Sequence, residues 1–381
     1  MLHRVIFAPD SFKGTLSSPE ICAAYQRAML RVYPEAEGIF VPIADGGEGT
    51  VDCYLAACGG ERISLAATGP FGDKIPSFYG MLNGGKTAVI EMAAAAGLPL
   101  AGERKSPELA TTYGAGELIR DAVSRGAEEI VLGLGGSATN DGGTGMAAAL
   151  GARFYDVDGT EFIPTGETLS QIDAIDTGEC NSLLRGIRIT AMCDVTNPLC
   201  GERGAAAVYA PQKGAGPEMV KLLDNGLSHL ADVVARDGTD CRDLPGAGAA
   251  GGMGFGVSVF LGGRLQSGID VMLDTAGFDR LLEGAELVLT GEGRVDSQSV
   301  QGKAVAGVAR RAAVRGVPTV VIAGDVASGA EALYALGVAG ILSTNRIAAP
   351  YEVQRIRAAS DIEAAAETVF RLCRAFQRES R

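Results

Sequence analysis

A short apolar run that opens into a glycine-rich polar loop constrains this chain more than any other feature. Residues 129–133 have the composition of a buried strand, and residues 133–145 combine glycines with small hydroxyls, one amide and one carboxylate. Because glycine has no Cβ, backbone N–H groups in such a loop can approach an anion closely. A helix predicted to begin near Met146 would direct the positive end of its dipole at the same place. The segment therefore predicts a phosphate-binding loop between a strand and a helix.

The composition points to ligand-binding loops and argues against two classes of partner. Of the 381 residues, 54 are glycine, spread without a three-residue period and clustered beside Asp, Glu, Asn, Ser and Lys. The formal net charge is −13 and no Lys/Arg-rich run occurs, so we expect no nucleic-acid partner. No apolar stretch approaches the ~20 residues that cross a bilayer, so we expect no membrane association.

Histidine and cysteine usage argues against several kinds of catalytic site. The chain has two histidines, which disfavours Ser-His-Asp and Cys-His nucleophile systems. Its eight cysteines form no CxxC pair, and we expect no signal peptide, because the chain runs at once into a predicted strand. We therefore expect neither zinc nor disulfides, a reducing cytoplasmic location, and carboxylates or lysines as acid–base groups. The sequence does not fix the oligomeric state and leaves a homo-oligomer open.

The order of the predicted elements indicates an α/β protein with two α/β domains. Strands that lead through a polar glycine loop into a helix occur near both ends of the chain, whereas residues 61–92 have the pattern of antiparallel strands. We predict a discontinuous Rossmann-like domain with a parallel sheet, formed by residues 1–65 and 285–381. A second, mixed α/β domain, residues 66–284, is inserted between them. The active site is expected in the cleft between the two domains.

Two nucleotide-binding motifs match the sequence, and they differ in whether the neighbouring segments fit the motif. Residues 80–87 fit the Walker A pattern, but Asn83-Gly84-Gly85 lies between two segments of strand composition, so we predict a hairpin turn there. Residues 133–138 fit the relaxed dinucleotide fingerprint GxGxxA and follow a strand. This second match supports an NAD(P)-dependent hydroxy-acid oxidoreductase as an alternative function, although the Asp141 carboxylate would repel a pyrophosphate. A hinged ligand-binding sensor is the non-enzyme alternative.

Phosphoryl transfer needs a backbone cradle, cations, carboxylates for Mg²⁺ and a group that orients or deprotonates the acceptor. The sequence supplies each type at predicted strand ends, where open α/β sheets bind ligands. The residues predicted to bind ATP are Gly133, Gly135, Gly136, Ser137, Thr139, Asn140, Lys13 and Lys303. The residues predicted to bind the acceptor are Asp10, Ser11, Asn197, Gln212 and Arg294. The predicted Mg²⁺ ligands are Asp141, Glu292 and Asp296.

Three further residues, Asp194, Lys213 and Asp45, are predicted to be catalytic. Asp194 follows an apolar strand, and a carboxylate there can accept the proton of a substrate hydroxyl. Lys213 lies in the loop Pro-Gln-Lys-Gly and is predicted to neutralise phosphate or a substrate carboxylate, with a solvated loop lysine as the alternative. Asp45 precedes the second glycine-rich loop, residues 46–49, and is the next candidate for the base.

Seven segments of the chain, taken in order, resemble the bacterial glycerate kinases of the type-one family. The resemblance covers residues 8 to about 310, and the joint occurrence of the segments is far more specific than any one alone. The segments are Ala8–Gly14, Ala44–Thr50, Gly133–Gly143, Cys193–Leu199, Pro211–Ala215, Gly248–Gly252 and Thr290–Arg294. The resemblance implies transfer of the γ-phosphate of ATP to the 2- or 3-hydroxyl of D-glycerate, a Mg²⁺ requirement and two α/β domains. The C-terminal part matches less well, and Asp325 stands where the resemblance predicts a small residue.

Overall fold

Strands and helices are distributed over the whole chain in the computed structural model, which describes residues 2–236, 238, 240–300 and 304–379. The strands are β1 (Arg4–Pro9), β2 (Glu37–Phe40), β3 (Glu61–Thr68), β4 (Lys74–Leu82), β5 (Thr87–Glu91), β6 (Glu129–Gly133), β7 (Arg153–Tyr155), β8 (Glu161–Phe162), β9 (Ala174–Asp176), β10 (Arg188–Met192), β11 (Arg264–Gln266), β12 (Leu287–Gly291), β13 (Arg294–Val295), β14 (Thr319–Ala323), β15 (Asp325–Val326) and β16 (Val338–Ser343). The α-helices are α1 (Ser18–Val32), α2 (Thr50–Cys58), α3 (Ala93–Ala96), α4 (Leu98–Ala101), α5 (Tyr113–Ser124), α6 (Thr144–Ala149), α7 (Gly178–Leu183), α8 (Ala205–Tyr209), α9 (Pro217–Ala235), α10 (Ala249–Phe260), α11 (Gly268–Thr275), α12 (Phe278–Leu281), α13 (Ala304–Val314) and α14 (Tyr351–Glu379).

The chain divides into two compact units, each with its own sheet and core. The first unit consists of Met1–Ala44, Asp52–Cys58 and Ile269–Arg381, and the second of Asp45–Val51 and Gly59–Gly268. The predicted α/β class is confirmed, with a parallel sheet from the two chain ends and a mixed sheet from the middle of the chain. None of the described helices has both the length and the apolar character that crossing a membrane requires.

The sheet of the first unit is parallel throughout, in the order β16-β14-β12-β1-β2. All five residues of β12 are buried, as expected for an apolar strand covered on both faces. Helices α1 and α14 pack on one face of the sheet around Phe7 and Leu289, and α13 packs on the other around Val321. Helices on both faces of a parallel sheet make this unit doubly wound, in agreement with the predicted Rossmann-like class.

The sheet of the second unit is mixed, in the order β11-β10-β6-β5-β4-β3. Strands β3, β4 and β5 are antiparallel neighbours, whereas β5, β6, β10 and β11 are parallel. The turn Asn83–Gly85 joins β4 to β5, with positive φ at all three residues. The Walker-like match therefore lies in a hairpin, as predicted, and the ammonium of Lys86 pairs with the exposed carboxylate of Glu128.

Each parallel sheet presents the carboxyl ends of its strands at one edge, where a ligand would bind. In the second unit, Gly133 at the end of β6 is in register with Glu91 of β5 and Met192 of β10. We call these strand ends and the loops that follow them the second-unit edge. In the first unit, β1, β12, β14 and β16 end together, and we call their ends and following loops the first-unit edge.

Candidate active site

The two predicted glycine-rich cradles of the second unit pack directly against each other. The N–H of Gly135 donates to the carbonyl of Gly46 over 2.9 Å. A Cβ added at Gly133 would lie 2.4 Å from the same Gly46 oxygen. Real Cβ atoms essentially never come so close to a neighbouring heavy atom. The absence of a side chain at Gly133 therefore serves this backbone contact. The tertiary structure brings the loops 45–51 and 133–137 to one place at the second-unit edge.

A buried carboxylate that the sequence analysis did not select, Glu91, holds the first of these loops. Glu91 is the last residue of β5, is 3% exposed, and accepts a hydrogen bond of 2.6 Å from the N–H of Val51. Val51 lies in the first turn of α2, where the helix dipole favours a negative charge. The start of this helix is therefore occupied by an anion of the chain itself. The sequence feature that could have revealed this role is an isolated Glu at the end of an apolar strand.

Asp141 likewise places a carboxylate of the chain itself at the start of a helix, here α6. Its side chain is fully buried and accepts four hydrogen bonds, from Thr112 N (2.7 Å), Thr112 Oγ1 (2.8 Å), Gly143 N (3.1 Å) and Gly145 N (3.3 Å). Burial raises the pKa of Asp141, and these hydrogen bonds oppose the increase. The carboxylate fills the place that we predicted for a phosphate, and both of its oxygens are engaged. Asp141 therefore orders this loop, and its role as a Mg²⁺ ligand stays a prediction.

Lys213 is a buried cation at the second-unit edge and not a solvated loop residue. Its side chain is 2% exposed, and Nζ donates to Ser137 Oγ over 2.8 Å and to the carbonyl of Thr139 over 2.7 Å. Burial lowers the pKa of Lys213 to about 7, while the nearby Asp141 carboxylate acts to raise it. The cation therefore fixes the predicted ATP-binding residues Ser137 and Thr139 in place. Asn140, the next residue, is also fully buried.

The two predicted catalytic aspartates of this unit, Asp194 and Asp45, both lie next to Gly268. Asp194 Oδ1 accepts a hydrogen bond of 2.9 Å from Gly268 N. A Cβ added at Gly268 would lie 3.0 Å from Asp194 Oδ2 and 3.3 Å from the backbone oxygen of Asp45. Both aspartates are exposed. The arrangement gives a solvent-accessible carboxylate, Asp194, whose orientation is set by a backbone donor.

The two predicted acceptor-binding amides of the second unit differ in their surroundings. Asn197 Nδ2 donates to the carbonyl of Arg203 over 2.8 Å, and Oδ1 accepts from the hydroxyl of Tyr209 over 2.6 Å. Asn197 thus ties its own loop to α8, through a tyrosine that the sequence analysis missed. Gln212 is exposed on the short 3₁₀ turn Pro211–Lys213. Of the two, Gln212 is the more exposed residue.

The first-unit edge carries the other predicted residues. Asp10 follows β1, and its Oδ1 accepts a 2.6 Å hydrogen bond from Ser11 N, which orders the start of the loop. Lys13 is exposed in the same loop. Asp10 N donates to the carbonyl of Gly291 over 2.8 Å and so joins this loop to the end of β12.

The loop after β12 is organised around Arg294. Its guanidinium, whose side chain is 63% exposed, has Nε 3.6 Å from Asp296 Oδ2 and 3.8 Å from Asp325 Oδ2. Glu292 is 9% exposed. Asp325, which stands where the resemblance predicted a small residue, is therefore a charge partner of Arg294. The predicted ATP ligand Lys303 lies outside the described residues.

Comparison with known proteins gives concordant results. The model of the glycerate kinase family matches residues 5–374. A glycerate kinase of Bacillus subtilis (strain 168) is 44% identical over 368 residues, covering 96% of each chain. A glycerate 2-kinase of Escherichia coli (strain K12) is 43% identical over 342 residues, covering 89% of this chain and 90% of the relative. A crystal structure from Salmonella typhimurium LT2, assigned as glycerate kinase 2, has a TM-score of 0.90 at 39% identity, covering 99% of this chain and 100% of that one.

Proposed function

The chain belongs to the glycerate kinase family, and from this premise we propose that it transfers the γ-phosphate of ATP to the 2-hydroxyl of D-glycerate. Family membership makes the protein a phosphotransferase with an alcohol acceptor, and glycerate is the acceptor of its named relatives. ATP as donor and the 2-hydroxyl as the site of transfer are our proposals. The name of the Escherichia coli relative, glycerate 2-kinase, supports the choice of the 2-hydroxyl over the 3-hydroxyl.

Asp194 is proposed to accept the proton of the glycerate hydroxyl. As the oxygen bonds to the γ-phosphorus, the bond from phosphorus to the ADP oxygen breaks and the hydroxyl proton passes to a carboxylate oxygen. The observation that carries this proposal is the exposed Asp194 carboxylate at a strand's carboxyl end, oriented by the N–H of Gly268. Asp45, whose backbone oxygen also lies near Gly268, is the second candidate for the base.

Cations of both edges are proposed to neutralise anionic groups of the substrates, either phosphate or the glycerate carboxylate. Lys213 is the strongest candidate because its ammonium lies in a nearly water-free place, where electrostatic interactions are larger than in solution. Lys13 and Arg294 are exposed cations of the first-unit edge and are proposed to bind anionic groups of the two substrates. Backbone N–H groups of the loop at Gly136 are proposed to contribute to nucleotide binding.

Mg²⁺ is proposed to be held by Glu292 and Asp296 together with phosphate oxygens. Among the described residues, no group of three His, Cys, Asp or Glu side chains is arranged to hold a metal ion. This finding is compatible with Mg²⁺, because kinases commonly bind it through one or two carboxylates plus nucleotide oxygens. Glu292 follows β12 and Asp296 follows β13, four residues later, and oxygen is the donor type that Mg²⁺ prefers. When bound, the ion would neutralise charge on the phosphates.

The NAD(P)-dependent oxidoreductase that we kept as an alternative is wrong, because the family is a kinase family. The fold gives the physical reason why the glycine fingerprint misled. In a dinucleotide site the pyrophosphate lies at a helix N-terminus. Here the helix after the fingerprint, α6, has six residues, and the Asp141 carboxylate fills its start.

The proposal is tested by measuring ADP release from the full chain with ATP, MgCl₂ and D-glycerate, followed by ³¹P and ¹³C NMR of the product. We expect ADP release that depends on both D-glycerate and Mg²⁺, and a phosphate on carbon 2. Release that is independent of glycerate would contradict the proposed reaction. A phosphate on carbon 3 would overturn the regiochemistry alone, and full activity in EDTA would overturn the Mg²⁺ requirement.

A further inference from the structure

Two consecutive residues at the second-unit edge bury polar groups that nothing in the described part of the chain satisfies. Thr139 Oγ1 and both side-chain atoms of Asn140, Oδ1 and Nδ2, are buried and have no hydrogen-bond partner there. Both residues are fully buried. Leaving such groups unpaired is costly, and buried polar groups are nearly always hydrogen-bonded. Their concentration in one dipeptide therefore indicates groups that await a ligand.

A cation lies against the same dipeptide. Lys213 Nζ donates to the carbonyl of Thr139, which belongs to the peptide bond that joins Thr139 to Asn140. An ammonium has three N–H bonds, and the described residues provide acceptors for two of them, Thr139 O and Ser137 Oγ. Neither of these acceptors is charged. The ammonium therefore has one N–H left for a ligand, and its charge favours an anion.

The unpaired groups specify the chemistry of that ligand. The Lys213 ammonium, the Asn140 amide NH₂ and the Thr139 hydroxyl can all donate to an anion. The Asn140 amide oxygen can only accept, so the ligand must also carry a donor. A phosphate group ionised at neutral pH offers acceptors alone, whereas a hydroxy acid offers a carboxylate and an adjacent O–H. The ligand must carry both an acceptor and a donor, whichever way the Asn140 amide is turned.

We infer that Lys213, Thr139 and Asn140 form the subsite for the hydroxy-acid end of the acceptor, with the carboxylate on the lysine and a substrate hydroxyl on the Asn140 amide. This inference rests on the proposed function and deepens it. It moves Thr139 and Asn140, which the sequence analysis assigned to ATP, to the acceptor. Ser137, at 8% exposure, is the most exposed residue of this cluster.

The sharpest test is Thr139→Val, because it keeps the side-chain volume and removes one unpaired hydroxyl. The melting temperature should stay the same or rise, since a buried unsatisfied group is lost. The Kd for D-glycerate, measured by calorimetry without nucleotide, should rise tenfold or more, while the Kd for ATP–Mg²⁺ changes less than twofold. Thr139→Ser keeps the hydroxyl and should retain glycerate binding. A clear fall in melting temperature with unchanged glycerate affinity would show a structural hydroxyl and overturn the inference.

Asn140→Ala tests the hydroxyl contact by a change in selectivity. The unaltered chain should bind D-glycerate at least tenfold more tightly than propanoate, which has the carboxylate but no hydroxyl. In Asn140→Ala this preference should shrink severalfold, whereas the exposed control Asn181→Ala should keep it. An unchanged preference in a folded Asn140→Ala protein, or a loss of ATP affinity with glycerate affinity intact, would overturn the inference. Absence of glycerate-dependent ADP release from the unaltered chain would instead contradict the proposed function.

Discussion

The two strand-end edges of this protein carry similar residue types in opposite environments. At the second-unit edge Lys213 and Asp141 are 2% and 0% exposed, and each is held by hydrogen bonds to neighbouring loops. At the first-unit edge the Arg294 side chain is 63% exposed, and the distances from its Nε to two carboxylates exceed 3.5 Å. The same topological position thus gives a dry, ordered polar cluster around Lys213 and Asp141 in one unit, beside the exposed Asp194, and a hydrated group of charges around Arg294 in the other.

The difference indicates which edge dominates the energetics of catalysis. Water and salt screen charges at an exposed site, and exposed ion pairs typically contribute about 0–1 kcal/mol. A charge held by fixed dipoles in a dry place interacts more strongly with charge that develops during the reaction. We therefore expect substitutions at the second-unit edge to affect turnover far more than substitutions at the first-unit edge.

The largest effect is expected for Asp194→Asn. The amide keeps the size and most of the hydrogen bonding but cannot accept the substrate proton, so kcat should fall by about 10²- to 10⁴-fold. ATP affinity and melting temperature should hardly change. Steady-state kinetics and a thermal melt check both statements. If the affinity for Mg²⁺–ATP falls instead, Asp194 binds the metal. If kcat is unchanged, Asp194 only caps a turn and the assignment as base is wrong.

Lys213→Ala should reduce kcat/KM by about 10²-fold or more, equivalent to about 2.7 kcal/mol of transition-state stabilisation. The reason is the loss of a charge-assisted contact in a dry site. The exposed Lys221→Ala, at 70% side-chain exposure, is the matched control and should keep kcat/KM within twofold. Equal kcat/KM values for the two variants would show that the buried Lys213 contributes no more than an exposed lysine. The expected difference between the two edges would then be wrong.

The pH dependence of stability provides a test without substrate. In the folded chain the pKa of Lys213 is about 7, below its ordinary 10.5, because of burial, with Asp141 opposing the shift. Between these values the unfolded chain binds the extra proton, so the free energy of unfolding should rise with pH from about 7 to 10.5. Denaturant titrations should give a smaller rise for Lys213→Met than for the unaltered chain. Parallel pH profiles would show that Lys213 is not buried in solution.

Arg294→Ala should have a moderate effect, about tenfold or less in KM with kcat nearly unchanged. The cation is exposed and two carboxylates already neutralise it, so it contributes to binding more than to turnover. The effect should weaken further between 0.05 and 0.5 M NaCl, because salt screens exposed charges. A fall in kcat that is insensitive to salt would mean that this edge is also dry when substrates are bound.

The smallest effect is expected for Lys86→Met, which lies at neither edge. Lys86 follows the hairpin turn between β4 and β5, and its only predicted role was the rejected Walker match. Its exposed pair with Glu128 contributes little to stability. kcat/KM should change by less than about tenfold, as steady-state assays can measure. A loss of a thousandfold in a folded protein would mean that the hairpin binds phosphate.

The features that local pattern predicted well are those that depend on neighbours in sequence. The apolar runs of β6 and β12, the hairpin at Asn83–Gly85 and the alternation of strands and helices were all readable because they follow local rules. The glycines at 133 and 135 were predicted to let backbone approach a phosphate, and that role stays a prediction. Their observed partner in this structure is the backbone of Gly46, which no spacing in the sequence reveals.

The sequence by itself determined the α/β class, the two kinds of sheet and, through seven ordered motifs, the family. It could not tell a solvated Lys213 from a buried one, nor could it give Asp141 the role of ordering the start of a helix. Those roles depend on exposure and on donors far along the chain, such as Thr112 for Asp141 and Ser137 for Lys213. Only tertiary structure decided them, because the pKa and the free hydrogen-bonding capacity of a charged group are set by what surrounds it in space.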